Sequence, residues 1–308
     1  MDKLKFLIDK DGFYGAYWKN PEKTDAAVIA MIGDDPEDYM AKKMVKWLRG
    51  KGVNVMTMSP DKKDYGHHNY PLERIETAKN WLKQHGNRKI GIAGASTTGM
   101  LALVAASYFP DITLTLAFTP SDFVWQGFMQ GKRDGCHEWP IEGESTVSWK
   151  GEPLPYMRFC YQHPDYWHTI QNDTKGSGDF IRSIKLFEDS EKAAPITEDQ
   201  FIKIENIKGR LLLIGAEDDG LWDTARYIRR MDERLKSHPH ECDYKVLVYK
   251  YGTHFVFPES LMRSMIPASK FFLRFFFKSA KEHPEECRRT RIEIDGEISE
   301  AIMNWLIS

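Results

Sequence analysis

The stretch Lys89-Ile90-Gly91-Ile92-Ala93-Gly94-Ala95-Ser96-Thr97-Thr98-Gly99-Met100 constrains the fold of this chain more than any other. An apolar run ends at Gly94, one residue separates it from a serine, and a helical pattern carrying Met100, Leu101, Val104 and Ala105 starts at once. A strand that passes into a helix so abruptly needs a sharp turn, and the residue at that turn is pushed out at the C-terminal edge of a sheet. The first N–H groups of the helix lack intrahelical acceptors and point at the same spot. The Ser96 hydroxyl would therefore stand beside donors suited to a developing oxyanion.

The rest of the chain repeats the strand-then-helix theme. Residues 26–32 are continuously apolar, as expected of a strand buried on both faces. After it, Asp35 suits an N-cap and Pro36 the first helical position; Met40, Met44, Trp47 and Leu48 follow at helical spacing up to Gly50. Residues 53–58 read as a strand and 59–70 as a polar loop. Leu72, Ile75, Ala78 and Leu82 line one helix face, and 112–118 is a further strand. The alternation resumes at 210–215 with a strand, then a helix with Ile228, Met231 and Leu235, a strand over 244–250, and helices near 261–279 and 291–307. Strands alternating with helices of this length imply a mostly parallel sheet covered on both faces, with ligands at the carboxyl ends of its strands. Between the two halves, the aromatic-rich segment 122–196 has no sustained period of 2 or 3.6. It is expected to be a lid inserted over the strand ends, with 1–121 and 197–308 forming the core.

A serine hydroxyl needs a base, and the base needs an orienting acid. In a sheet of this kind they follow in the order Ser, Asp or Glu, His, at the ends of late strands. Glu217-Asp218-Asp219-Gly220 puts carboxylates after one such strand and Gly252-Thr253-His254 puts a histidine after the last. Asp218, Asp219 and, on topology, Asp122 are all candidates for the acid, and Asp218 or Asp219 also suits a helix N-cap before Trp222. The oxyanion donors are expected to be the N–H groups of Thr97 and of the loop after 26–32, most simply Asp34. Phe123, Trp125 and Phe128 are candidates for an apolar substrate pocket.

At these residues the chain resembles the α/β-hydrolase superfamily. More narrowly, it is similar to the C-terminal catalytic domain shared by acyl-CoA thioesterases and bile acid-CoA:amino acid N-acyltransferases. The likeness runs over most of the chain through Gly94-Ala95-Ser96, Val124-Trp125-Gln126-Gly127, Trp149 to Tyr156, Gly215 to Trp222 and Gly252-Thr253-His254. It implies an α/β-hydrolase fold, Asp219 as the acid and His254 as the base. Serine where the transferase branch commonly has cysteine points to hydrolysis. The chain departs from the pattern at Thr98, where glycine is usual, and its length leaves no room for the N-terminal β-sandwich of longer members.

The expected activity is hydrolysis of a carboxylic ester or an acyl-CoA-like thioester through an acyl-enzyme. The alternatives are acyl transfer to an amine or alcohol, and a non-catalytic binding protein of the same fold. No metal or organic cofactor is called for. His67-His68 and Cys136-His137 lack a partner cluster at zinc-site spacing and read as solvated or lid-packed residues; His163 and His168 read as packing of the insertion. A formal net charge of −2, with both signs interspersed, gives no reason to expect nucleic acid or an anionic membrane as partner, and carries no signal of oligomeric state. The N-terminus does not read as a signal peptide, 271–277 is too short to span a membrane, and the four cysteines are unpaired by spacing. A small-molecule ester or thioester as partner and a cytoplasmic location are therefore expected.

Overall fold

The computed structural model describes residues 3–31, 35–61, 66–130, 138–266 and 269–308. In chain order the strands are β1 (Lys3–Phe6), β2 (Tyr14–Trp18), β3 (Ala26–Met31), β4 (Asn54–Ser59), β5 (Tyr70–Pro71), β6 (Lys89–Ala95) and β7 (Ile112–Phe118). They continue with β8 (Gln126–Gln130), β9 (Glu138–Ser145), β10 (Val147–Trp149), β11 (Glu152–Pro153), β12 (Lys208–Ala216) and β13 (Glu241–Tyr249). The helices are α1 (Ile8–Asp11), α2 (Tyr39–Arg49), α3 (Glu73–Gln84), α4 (Thr97–Tyr108), α5 (Asp165–Thr174) and α6 (Ile184–Ala193). After these come α7 (Thr224–Ser237), α8 (Glu259–Met265), α9 (Ser269–Phe276), α10 (Lys278–Glu282) and α11 (Pro284–Ile307).

An eight-stranded sheet in the order β1-β2-β4-β3-β6-β7-β12-β13 forms the centre. It is parallel from β4 to β13, and β1 and β2 close it antiparallel. β4 is added on one side of β3 and β6 on the other, so the strand order reverses at the β3/β6 boundary. A crevice opens at the carboxyl ends of such a pair, and Ser96 lies there.

One buried cluster joins the sheet to α3, α4 and α7; a second lies on the other face with α2 and α11. Helix α4 is apolar all round because it is covered on both sides: β6 and β7 lie beneath it, while Trp149 of the insertion stacks edge-on against Tyr108 and Phe109.

Several boundaries differ from the sequence reading. Helix α2 starts at Tyr39, with Asp38 as N-cap accepting the Ala41 N–H at 2.7 Å. Asp35 and Pro36 lie before it because their polar groups are used elsewhere: Asp35 accepts the Glu37 N–H, and the Pro36 carbonyl accepts the buried Thr57 hydroxyl. The β1–β2 pairing was not anticipated; β1 is an edge strand of only four residues, three of them exposed, too short for its alternation to stand out. The expected helix over 261–279 is broken twice, at Ile266 and at Phe277, both extended, the second burying its ring beside Met262 and Leu273, and the last helix begins seven residues early at Pro284.

The insertion builds a β8–β9 ribbon, a small sheet and helices α5 and α6. The small sheet draws β5 from the region read as polar loop, pairing Tyr70 and Pro71 in parallel with β10. Among the described residues no helix is long and apolar enough to cross a membrane.

Candidate active site

Three non-glycine residues with positive φ mark the carboxyl ends of the sheet: Ser96 (61°), Thr119 (42°) and Thr253 (62°). Each is a conformation that costs of order 1–3 kcal/mol and persists only where its surroundings fix it. Ser96 is fixed by its own N–H, which donates to Phe118 O at 2.9 Å, and by its carbonyl, which accepts from Gly99 and Met100. Gly94 and Gly99 let the backbones cross beneath it: a Cβ on Gly94 would stand 2.0 Å from Thr98 O, and one on Gly99 2.6 Å from Phe118 O. Thr98 turns its hydroxyl inward, accepting the Ala95 N–H at 2.9 Å and donating to Ala95 O at 2.8 Å. That pair of bonds braces the turn from inside, so a threonine occupies the family's usual glycine position. The Ser96 hydroxyl has no hydrogen bond to any described residue, and Thr97, the first residue of α4, follows it directly.

The two adjacent carboxylates after β12 point in different directions. Asp218 accepts the N–H groups of Gly252 and Thr253 at 2.8–3.1 Å and so ties the histidine loop to the end of β12. Asp219 is 3 % exposed and faces His254 Nδ1 with both oxygens, at 2.9 and 2.8 Å. Its remaining lone pairs accept the Leu221 N–H and the Thr224 hydroxyl. Neither residue caps α7; Asp223 does, accepting the Arg226 N–H at 3.0 Å, because the two upstream carboxylates are already engaged. Asp122 is gripped on both oxygens by Arg230 at 2.7 Å, far along the chain from the histidine loop. Burial pushes its carboxyl up to about 6 against the pull of that guanidinium.

With Asp219 on Nδ1, His254 carries its ring proton there and leaves Nε2 as an acceptor. That Nε2 is buried and unpartnered among the described residues, and no hydrogen bond joins it to Ser96 Oγ. Its ring lies edge-on to Trp222, centroids 4.8 Å apart, and Trp222 donates to Thr119 O beyond β7. Asp34, the expected second oxyanion donor, lies outside the described residues, as do Cys136 and His137.

A cavity of about 520 Å³ has Ser96 and Thr97 in its wall. One group of lining residues comes from α2, α8 and the loop before α8, including Met44, Trp47, Phe257 and Leu261. The other comes largely from the insertion: Trp125, Phe128, Phe159, Tyr166 and Phe187. Of the three pocket residues expected from sequence, Trp125 and Phe128 line this cavity. Phe123 does not: it is fully buried one layer behind, edge-on to Trp125 and Tyr227 and under the Arg230 guanidinium. His68 faces Glu144 at 3.0 Å and His168 is exposed.

Two titratable cavity residues were not anticipated. Glu138 accepts the Tyr166 hydroxyl at 3.0 Å, and burial pushes its carboxyl from 4.5 up to about 7. Burial pushes the His67 imidazole from 6.5 down to about 3. The folded state therefore holds an extra proton at Glu138 between pH 4.5 and 7, and acidification there stabilises it. The unfolded state holds the extra proton at His67 between pH 3 and 6.5, and acidification there destabilises the fold. Each contributes at most about 1.4 kcal/mol per pH unit, with opposite sign. Glu138→Gln removes only the stabilising member. Its loss of stability between pH 6.5 and 5, read from urea midpoints, is expected to exceed that of the parent by about 2 kcal/mol; parallel profiles would contradict the assignment.

The mostly parallel sheet, the sharp strand-to-helix turn at Ser96 and the carboxylate and histidine loops after the late strands define an α/β-hydrolase. The model of the family described as "BAAT / Acyl-CoA thioester hydrolase C terminal" matches residues 70–265, and the chain belongs to that family. Solved structures of the same fold include 2,6-dihydroxy-pseudo-oxynicotine hydrolase (12% identity, 99% of this chain and 68% of that one, TM-score 0.50). DcsB bound to its substrate analogue is also similar (12% identity, 96% and 95%, TM-score 0.50). So is an esterase of Pyrococcus furiosus (15% identity, 96% and 88%, TM-score 0.48). No curated protein matches the chain in sequence.

Proposed function

We propose that the protein is a serine hydrolase of carboxylic esters or thioesters, with Ser96 as nucleophile, His254 as base and Asp219 as the orienting acid. The observation that carries this is the His254 imidazole: Nδ1 is held by a buried carboxylate while Nε2 is buried without a partner among the described residues. A buried acceptor left unmatched costs about 1–3 kcal/mol, and a proton-abstracting role accounts for keeping it.

In this reading the Ser96 hydroxyl turns to Nε2 as substrate enters. Oγ attacks the acyl carbon while its proton passes to Nε2. The carbonyl electrons move onto oxygen, which the Thr97 N–H stabilises. The intermediate collapses, the alcohol or thiol leaves with the proton from Nε2, and an acyl-serine remains. Water, deprotonated by the same nitrogen, attacks the acyl-serine; the free acid departs and Ser96 recovers its proton. Asp219 stabilises the transient imidazolium. The family's acyl-CoA thioesters are one substrate class to test; the apolar cavity suits an acyl chain or an aryl group.

The test is a hydrolysis screen over acyl-CoA thioesters and p-nitrophenyl esters of several chain lengths, run beside labelling with a fluorophosphonate. Turnover of at least one series and a covalent adduct on Ser96 are expected. Absence of both turnover and labelling would sink the reading.

A further inference from the structure

The proposed chemistry uses Ser96, Asp219 and His254; it gives no role to the polar groups set into the insertion side of the cavity. His67 is 2 % exposed, lines the cavity, and has both ring nitrogens buried and unpartnered among the described residues. Its ring packs against Phe128, centroids 6.2 Å apart. Phe128 lies opposite Pro140 in the β8–β9 ribbon, two residues from Glu138, so residues 138 and 140 share a face. Glu138 also lines the cavity, with Tyr166 donating to one of its oxygens. An imidazole without partners in an apolar wall is costly unless something enters to satisfy it.

We propose that His67 and Glu138 form a recognition subsite for a hydroxyl group, alcoholic or phenolic, borne by the acyl part of the substrate. A neutral imidazole offers one donor and one acceptor, and a hydroxyl is the small neutral group that answers both. The free oxygen of Glu138 adds a further partner. An acyl group ending in a carboxylate would bring a full charge against an apolar wall and an uncharged imidazole, which leaves it without a balancing cation. One ending in an ammonium would need a charge maintained on Glu138, which its burial opposes. A plain hydrocarbon end would leave the imidazole unmatched.

The subsite rests on the hydrolase reading only for which part of the substrate reaches it, so its test measures binding without turnover. Two pairs of methyl ketones serve as unreactive acyl mimics in titration calorimetry on the intact protein: benzylacetone with its para-hydroxy derivative, and methyl heptyl ketone with its ω-hydroxy derivative. The hydroxylated member of at least one pair is expected to bind about tenfold or more tighter, because a site built around hydrogen-bonding groups discriminates against ligands that lack them. That preference is expected to shrink below about threefold in His67→Leu and in Glu138→Leu. Affinity for the unhydroxylated ketone should hold in both variants, which shows that they are folded.

No preference in either wild-type pair overturns the subsite, as does a preference that survives both substitutions. Tighter binding of the para-aminomethyl derivative than of the para-hydroxy one would also overturn it, by assigning the site to cations. The ester and thioester screen is separate: hydrolysis without hydroxyl preference removes the subsite alone, and hydroxyl preference without hydrolysis removes the catalytic reading alone.

Discussion

Ser96→Ala is expected to lower kcat/KM on any ester or thioester that the protein turns over by at least about 10⁴-fold. The thermal midpoint should move by no more than a few degrees. Both halves follow from one geometry. Among the described residues the hydroxyl holds no hydrogen bond, and it makes no helix cap, so its loss leaves none of their donors or acceptors unmatched. The backbone at position 96 sits at φ 61°, a region equally unfavourable for serine and alanine, so the strain is unchanged. Only the chemistry is removed. Rates within tenfold of the parent, measured on enzyme checked for contamination, would mean that the nucleophile lies elsewhere. Labelling of the parent but not the variant by a fluorophosphonate would place the adduct on this residue.

Gly94→Ala is expected to act in the opposite way, through stability. Its Cβ would lie 2.0 Å from Thr98 O and 2.5 Å from Thr98 C, backbone atoms that cannot rotate aside. To make room, α4 must lift from β6, and α4 is buried along nearly its whole length. Overpacking usually costs about 1–3 kcal/mol where side chains can adjust; here at least about 3 kcal/mol is expected, read from urea midpoints. Activity should fall as well, since Ser96 and the Thr97 N–H ride on the displaced turn. Gly296→Ala provides the control. It lies inside α11 with open space at its Cβ, and should stabilise the protein by about 0.5–1 kcal/mol. A Gly94→Ala protein as stable as the parent would refute the close crossing.

The central strands were legible because burial on both faces leaves an unbroken apolar run, as in Ile112–Phe118, where the expected and observed limits coincide. Edge strand β1 was not, since three of its four residues are exposed and charge interrupts it. Position after a strand end was enough to single out His254 among ten histidines. It was not enough to separate Asp218 from Asp219. Adjacent residues share a location in the sequence, and only the path of the returning loop decides which carboxylate meets a ring and which meets two backbone N–H groups. His67 was legible only as a solvated or lid-packed histidine, and Glu138 had no signal at all. Each sits in a stretch of polar composition and is covered by residues far away in the chain, His67 fully and Glu138 in part, so composition points the wrong way. Phe123 and Trp125 illustrate the same limit at finer scale: two aromatics two residues apart pack edge-on against each other, but only one lines the cavity.

The floor of the cavity belongs to the sheet and its roof largely to the insertion, and one side chain is keyed into both. Trp222 lines the cavity and stands 4.8 Å from His254, in the loop after the last strand of the sheet, and 5.0 and 5.2 Å from Trp125 and Phe187 in the roof. A graft of residues 122–196 from a relative would therefore meet a tryptophan shaped for other neighbours. The smallest transplantable unit is the insertion together with position 222. Cut along that seam, the lining of the cavity can be exchanged while the contact between Asp219 and His254 stays in register.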